Sequence, residues 1–442
     1  MKKWIGLLLT FTLILSVTAC GGAKQDNNEA SSQEQEVGVP TENKGDTLVV
    51  WTFTDELKGM IENHYLKDNP DLPYKVEVVV VPNDQYQNKL DPVLASGKSA
   101  PDVFALEAGY VKKYVDSPFT ADLASIGFDR DNIDTLPYVL DVATDTNGVL
   151  KGSSWQATPG AFFYRRSLAM EYLGTDEPEE IQALMSDFDK FYETAMTISE
   201  KSDGKVKMIS SLGDLVQVFY AARQDGWVVD NKLVVDPKIT ELMEMGRKLE
   251  SNKLTNQSEQ WTEQWFASIS GNDVFGYFLP TWGLHYVLKT SAENADTGVS
   301  TSGDWGMIQG PSSYFWGGTW LAMREGSQME AAAADLIKYL TLDEAFLKTW
   351  AEETGDVLSN EAVVNEIKDG FTEPFLKGQN HYAAFAEMAT KVDASILTGS
   401  DKDIQDLFTE QLTAYSKGEK ERDAAMNDFI SSVKNQFPSL EY

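Results

Sequence analysis

Short apolar runs alternate with longer amphipathic stretches from residue 46 onward. The first runs are rich in β-branched residues, which is typical of strands, and the stretches between them have helical spacing. The predicted elements are strands over 47–53, 74–82 and 103–106, a helix over 57–66, and a helix capped by Asn83 or Asp84 that runs toward Leu94. This order of strand, helix, strand, helix and strand predicts a parallel sheet with helices on its faces.

The ends of these strands are the first candidate site. In open parallel sheets, ligands bind beyond the carboxyl ends of the strands. The residues that follow the first and third strands are therefore candidates for ligand contact: Phe53 and Asp55, then Glu107 and Tyr110.

A second series of elements begins near residue 161. Asp236 and Pro237 form a typical helix start, with a capping side chain followed by proline in the first turn. The chain is expected to cross back near residues 310–311 and to be mostly helical from residue 361. The other predictions are strands over 162–166, 205–209 and 319–323 and helices over 178–200, 214–222, 237–249 and 329–339.

The N-terminus has the pattern of an export signal. Lys2 and Lys3 precede an apolar run over 4–17, and small residues follow, which predicts a signal peptide over 1–19. Residues 17–20 resemble a bacterial lipobox, so we expect Cys20 to carry a lipid anchor of the palmitate type. A signal segment with an incidental cysteine is the alternative. Residues 20–45 lack aromatic side chains, and we expect them to form a flexible tether.

Composition narrows the class of protein. Without leader and tether, about 400 of the 442 residues remain, which is enough for two lobes. The net charge of −32 excludes a nucleic-acid partner, and the single cysteine excludes an intramolecular disulfide. The apolar stretches after residue 20 are interrupted by polar residues, so no further membrane span is expected.

Five short motifs, in this order, resemble the extracellular solute-binding proteins of carbohydrate ABC importers, the maltose-binding-like group. They are the proline-aspartate pair at 101–102, the segments 155–159 and 163–166, the tryptophan within 279–283, and the segment 317–322. The resemblance implies a periplasmic-binding-protein-like α/β fold, with two lobes, several hinge crossings and a ligand cleft between them.

The same resemblance implies lobe boundaries and partners. The N-terminal lobe is expected over 46–157 plus about 311–358, and the C-terminal lobe over 158–310 plus about 359–442. We expect a monomer without cofactor or metal. It would be lipid-anchored on the extracellular face of a cell membrane, of the Gram-positive type, and would deliver an oligosaccharide to an ABC permease.

The eleven tryptophans favour a sugar as the ligand. A pyranose offers an apolar face to an indole ring and hydroxyls to carboxylates and amides. Tryptophans beside turn residues are therefore the candidate stacking residues: Trp155, Trp227, Trp282 and Trp316. Asp55, Glu107 and Gln156 are the candidate polar contacts, whereas Trp51 and Trp320 lie inside predicted strands and should be core.

The residues also bear on other classes of function. The three histidines are far apart, and the sequence has no HExxH, nucleophile-elbow or P-loop motif, which argues against an enzyme. An anionic ligand would require clustered arginines. Arg165 and Arg166 should point to opposite sides of a strand, leaving one exposed. A receptor for a peptide, a polyamine or another small polar solute stays open, as does an adhesin or cell-wall lipoprotein.

Overall fold

The computed structural model describes residues 45–295 and 297–442. The predicted signal peptide, Cys20 and all of the tether except Gly45 lie outside these residues. Within the described part, seven strands form two main sheets: β1 (Thr47–Thr52), β2 (Lys75–Val80), β3 (Val103–Glu107), β4 (Gly160–Arg165), β5 (Gly276–Pro280), β6 (Trp305–Ile308) and β7 (Thr319–Met323).

The first sheet has the strand order β7-β3-β1-β2. Strand β1 is parallel to β2 and to β3, which confirms the predicted parallel sheet. The returning strand β7 joins this sheet antiparallel to β3. Asp102 anchors the entry into β3, because its carboxylate accepts a 3.0 Å hydrogen bond from the backbone N–H of Val49 in β1.

The second sheet has the order β6-β4-β5, and both of its pairings are antiparallel. Two short hairpins accompany it, Val228–Val229 with Lys232–Leu233 and Glu293–Asn294 with Val299–Ser300.

Helices surround both sheets. Asp55–Met60, Ile61–Tyr65 and Leu66–Asp68 follow one another without a break, as do Thr281–Gly283, Leu284–Leu288 and Lys289–Ser291. The middle segment of each run is a π-helical turn between two α-helical segments. The other α-helices are Asn83–Ser96, Val111–Val115, Pro137–Val142, Arg166–Leu173, Pro178–Leu184, Phe188–Lys201, Gly213–Ala221, Pro237–Ser251, Glu263–Ile269, Glu330–Leu342, Glu344–Thr354, Glu361–Ile367, His381–Ala389, Asp401–Ser416 and Arg422–Gln436. Single 3₁₀ turns occur at Leu123–Ile126, Arg130–Asn132, Lys368–Gly370 and Pro374–Leu376.

Three local predictions were wrong. The predicted helix over 178–200 is two helices, because Asp187 caps a new one by accepting a 2.8 Å hydrogen bond from the N–H of Lys190. Residues 205–209 form only isolated bridges, from Lys207 and Ile209, instead of a regular strand. Asn83 lies inside its helix rather than at the cap, and its side chain accepts a bond from the Tyr110 hydroxyl. The predicted Asp236 cap is confirmed.

The prediction of one exposed arginine was also wrong, because Arg165 and Arg166 are both buried. Strand β4 ends at Arg165 and a helix starts at Arg166, so strand alternation does not govern their directions. Arg165 forms a 2.8 Å ion pair with Asp304. Arg166 donates to the Trp305 carbonyl at 3.0 Å and lies 3.4 Å from Asp176.

Two clusters of buried apolar residues stabilise the fold. One is centred on the first sheet and contains Trp51 and Trp320, as predicted. The other packs around β4, β5 and the C-terminal helices. The first cluster also contains Trp305 and Phe385, which the predicted boundaries assign to the C-terminal lobe, so those boundaries stay a prediction. None of the helices in the described residues combines the length and the apolar character that a membrane span requires.

Candidate functional site

A cavity of about 660 Å³ lies beyond the carboxyl ends of β1 and β3. Its walls are formed by segments that adjoin the two sheets and by the C-terminal helices. Its lining includes Phe53, Thr54, Glu56, Asn83, Glu107, Lys112, Gln156, Arg223, Trp261, Trp282, Tyr286, Trp316, Gly317, Asp356, Asp393 and Asp401.

Three tryptophans form one wall of this cavity. Trp261 and Trp282 are stacked, with ring centroids 6.0 Å apart and planes 20° apart. Trp316 meets both of them edge-on, at 5.8 Å from Trp261 and 5.4 Å from Trp282. The indole N–H of Trp282 donates a 3.0 Å hydrogen bond to the Trp316 carbonyl, which fixes the ring. The wall therefore offers rigid aromatic faces at low conformational cost.

The backbone beside this wall depends on glycine. Gly317 has a φ of +72°, which side chains rarely adopt. A Cβ placed there would lie 2.7 Å from the indole nitrogen of Trp282. Any other residue at position 317 would therefore push Trp282 away from its hydrogen bond.

A pair of carboxyl groups forms the polar part of the cavity. Asp356 accepts hydrogen bonds from the indole N–H groups of Trp155, at 3.2 Å, and Trp350, at 3.3 Å. Burial, with the nearby Glu56 as a second cause, raises the pKa of Asp356 to about 8. Burial also raises the pKa of Glu56, whose carboxylate accepts a 3.3 Å hydrogen bond from the Tyr286 hydroxyl. At neutral pH this corner can both donate and accept hydrogen bonds.

The remaining charged groups are mostly engaged with the protein. Arg223 forms a 3.1 Å ion pair with Asp401, and Lys112 donates to two backbone carbonyls at 2.7 Å. Glu107 accepts a 2.8 Å bond from the N–H of Gly109, and burial raises its pKa. An anionic ligand would therefore find few free cationic partners in this cavity.

Five of the residues proposed from the sequence line this cavity together. They are Phe53, Glu107, Gln156, Trp282 and Trp316.

The other four lie elsewhere. Asp55 faces a neighbouring groove. Tyr110 is buried and supports Asn83 through a 3.2 Å hydrogen bond. Trp155 is fully buried and acts on the cavity only through its bond to Asp356. Trp227 is fully buried among Phe408, Phe429 and Arg223, because its segment packs into the second cluster. We therefore leave Tyr110, Trp155 and Trp227 out of the proposed ligand contacts.

The sequence reasoning missed Trp261, Glu56, Asp356 and Tyr286. Glu56 follows the first strand only one residue after Asp55, so the carboxyl-end rule could have included it. Trp261 lies in a turn with a φ of +68°, a conformation that no local pattern predicts for a tryptophan. Asp356 and Tyr286 reach the cavity only through tertiary packing. In the described part of the chain, no group of three or more His, Cys, Asp or Glu side chains could hold a metal ion.

Comparison with known proteins identifies the family. The sequence model of the family of bacterial extracellular solute-binding proteins matches residues 43–374, well over half of the chain. The chain belongs to this family. A search of curated proteins gave no match.

Solved structures of other solute-binding proteins share the fold. One, a protein of extracellular solute-binding family 1, superposes with a TM-score of 0.77 at 18% identity, over 88% of this chain and 99% of the other. The sugar-binding protein MalE from Xanthomonas citri superposes with a TM-score of 0.70 at 18% identity, over 88% of this chain and 96% of the other. The ABC transporter associated binding protein from B. animalis subsp. lactis was solved with beta-1,6-galactobiose. It superposes with a TM-score of 0.68 at 19% identity, over 88% of this chain and 97% of the other. The solute-binding protein thus has the two-lobed, periplasmic-binding-protein-like α/β fold expected from its sequence.

Proposed function

We propose that this protein captures an oligosaccharide in the cavity and delivers it to an ABC permease. The observation that carries the proposal is the wall of Trp261, Trp282 and Trp316 beside the carboxyl pair Glu56 and Asp356. Indole faces suit the C–H faces of a sugar, and the carboxyl groups suit its hydroxyls. The galactobiose held by the B. animalis protein is a ligand of this chemical kind.

A cationic ligand such as a polyamine is the second candidate, because the cavity also contains the carboxylates Asp393 and Asp401. Indole faces attract cations as well. Against it, Asp401 is already paired with Arg223. The pKa of Asp356, raised to about 8, also reduces the negative charge available at neutral pH. A peptide or another small polar solute has no specific observation in its favour.

A thermal-shift panel of oligosaccharides, peptides and polyamines tests the proposal. A ligand at about 100 times its Kd stabilises the folded state by about 2.7 kcal/mol, so a true ligand gives a clear rise in Tm. We expect at least one oligosaccharide to do so and polyamines to have no effect. Stabilisation by polyamines or peptides alone would overturn the proposal.

Lobe closure and membrane attachment are parts of the same proposal. Ligand binding should reduce the radius of gyration in small-angle scattering, since two lobes that close on a ligand become more compact.

With residues 1–19 removed and Cys20 lipidated, the protein would be a monomer held at the outer face of the cell membrane by the tether 20–45. Cys20→Ala should move it from the membrane fraction to the medium, and continued membrane association would refute the anchor.

A further inference from the structure

A second concave surface lies directly beside the cavity. It is an open groove of about 960 Å³. Its lining consists of Thr54, Asp55, Glu56, Gly59, Asn63, His64, Lys67, Tyr286, Trp350 and Glu353. Three of these residues, Thr54, Glu56 and Tyr286, also line the cavity, so the two spaces meet there.

Tyr286 is unusual at this junction because its side chain is 61% exposed. Among the described residues, only two other aromatic side chains, Trp261 and Tyr442, are comparably exposed, and Trp261 belongs to the cavity wall. Ligand-binding clefts are lined predominantly by apolar and aromatic side chains, and an accessible ring in a concave surface fits that description.

The position of Tyr286 relative to Trp282 is also informative. The two residues are four apart on one continuous helical run, which passes from α-helix into the π-helical turn Leu284–Leu288, so they lie about one turn apart on nearly the same face. One ring faces the cavity, and the other lies where the cavity opens into the groove. The helix thus presents two successive aromatic surfaces along a single path.

The groove beyond Tyr286 is polar and of mixed charge. Asp55 and Glu353 contribute carboxylates, Asn63 an amide, and Lys67 an ammonium group. His64 lies 3.4 Å from Glu353. Such a lining can exchange hydrogen bonds with many hydroxyl groups and does not select one sign of charge.

We propose that the groove binds the far end of an oligosaccharide whose near end occupies the cavity, with Tyr286 stacking on the sugar unit at the junction. This inference rests on the proposed function and deepens it. The ligand is a chain longer than the cavity itself accommodates. Where this sugar chain runs from the cavity into the groove, its hydroxyl groups replace the hydrogen bond between the Tyr286 hydroxyl and the Glu56 carboxylate.

Calorimetric titration with a chain-length series tests this inference. The probes are a disaccharide to a hexasaccharide of the linkage type that gives the largest thermal shift. Tyr286→Ala should lower affinity for the longer members about three- to tenfold more than affinity for the shortest binding member, as expected for one aromatic contact at the junction. Tyr286→Phe keeps the ring and should retain most of the preference for long chains. Tyr442→Ala, at an exposed tyrosine outside both spaces, is the control and should behave as wild type.

The outcomes separate the two proposals. If Tyr286→Ala loses the same affinity at every chain length, or loses none at any length, the proposal for the groove is wrong. Binding of the series in the cavity would be unaffected by that result. Trp282→Ala provides the internal reference, because it should weaken all members of the series alike. If no member binds the wild-type protein, the oligosaccharide function itself fails and the groove fails with it.

Discussion

The protein uses tryptophan in two different ways. Five indoles are fully buried: Trp155, Trp227, Trp265, Trp305 and Trp320. Three others, Trp261, Trp282 and Trp316, contact one another at the cavity and keep part of their surface accessible. The buried group fills the cores on both sides of the cavity, whereas the cavity group forms a wall.

The difference lies in how the rings are surrounded. Trp320 is enclosed, and its N–H donates to the Val139 carbonyl at 2.9 Å. Trp282 is also held by its N–H, at 3.0 Å, but its partner is the backbone of the neighbouring wall residue Trp316. Fixing the edge of an indole while leaving a face accessible makes it a binding surface rather than a core residue. The predictions below test this separation of stability from binding.

The largest expected effect is on stability, in Trp227→Ala. Removing a fully buried indole leaves a cavity among Phe408, Phe429 and Arg223, and should lower the free energy of unfolding by about 3–5 kcal/mol. Denaturant unfolding measures this loss. Ligand affinity per folded molecule should stay close to wild type. A large loss of affinity with intact stability would return Trp227 to the binding site.

Trp282→Ala should show the reverse pattern. Loss of one stacking face should weaken oligosaccharide binding by about 1–3 kcal/mol, comparable to the burial of one large side chain. Stability should change far less than in Trp227→Ala, because Trp282 is only partly buried. Calorimetry on the folded protein gives the affinity. Trp282→Phe keeps an aromatic face but loses the N–H bond to Trp316, so it should lie between wild type and alanine. Unchanged affinity in Trp282→Ala would remove Trp282 from the site.

The fold was largely predictable because its signals are local. The runs that became β1 and β2 are rich in β-branched residues, and those that became β3 and β7 are short apolar runs. The Asp236–Pro237 pair is a strong helix start. Local signals also explain the failures. Residues 205–209 have the composition of a strand but find only isolated bridge partners, and partners are a tertiary property.

The site was less predictable for the same reason. The carboxyl-end rule found Phe53 and Glu107, and the turn position found Trp282 and Trp316. The same turn criterion failed for Trp227, because a tryptophan beside a glycine can point into a core as easily as into a cavity. The residues around Asp356 come from distant parts of the chain, so no sequence pattern joins them.

Asp356 connects the core to the cavity, because Trp155 donates to it from the core and its carboxyl group lines the cavity. An unfolded aspartate has a pKa of about 4. Between that value and the folded value of about 8, the folded protein holds a proton that the unfolded chain has lost. The contribution of Asp356 to the free energy of unfolding therefore falls as the pH rises from about 4 to about 8.

Asp356→Asn should remove this dependence. The amide oxygen can still accept an indole N–H, and no charge develops at high pH. Raising the pH from about 6 to about 7 should make the variant more stable relative to wild type by about 1–2 kcal/mol, since each pH unit between about 4 and about 8 costs the wild type about 1.4 kcal/mol. Thermal unfolding at both pH values measures the gain. Asp187→Asn, at an exposed helix cap with a lowered pKa, is the control and should show no such gain. An equal difference at both pH values would contradict the raised pKa.

Trp261 gives the smallest expected effect and the most direct test of the separation. Its φ of +68° lies in the left-handed region, which costs a non-glycine residue about 1–2 kcal/mol. Its side chain is nevertheless 51% exposed, so burial offsets little of that cost. Trp261 is therefore held in a conformation that lowers stability.

Trp261→Gly and Trp261→Ala both remove the ring, but only glycine relieves the backbone. The glycine variant should be more stable than the alanine variant by about 1 kcal/mol, and both should lose the same ligand affinity. Denaturant midpoints and calorimetry measure the two quantities side by side. An alanine variant as stable as the glycine variant would show that the turn is not strained. Equal stability together with unchanged affinity would leave Trp261 as an incidental surface residue, and the cavity wall would then consist of Trp282 and Trp316 alone.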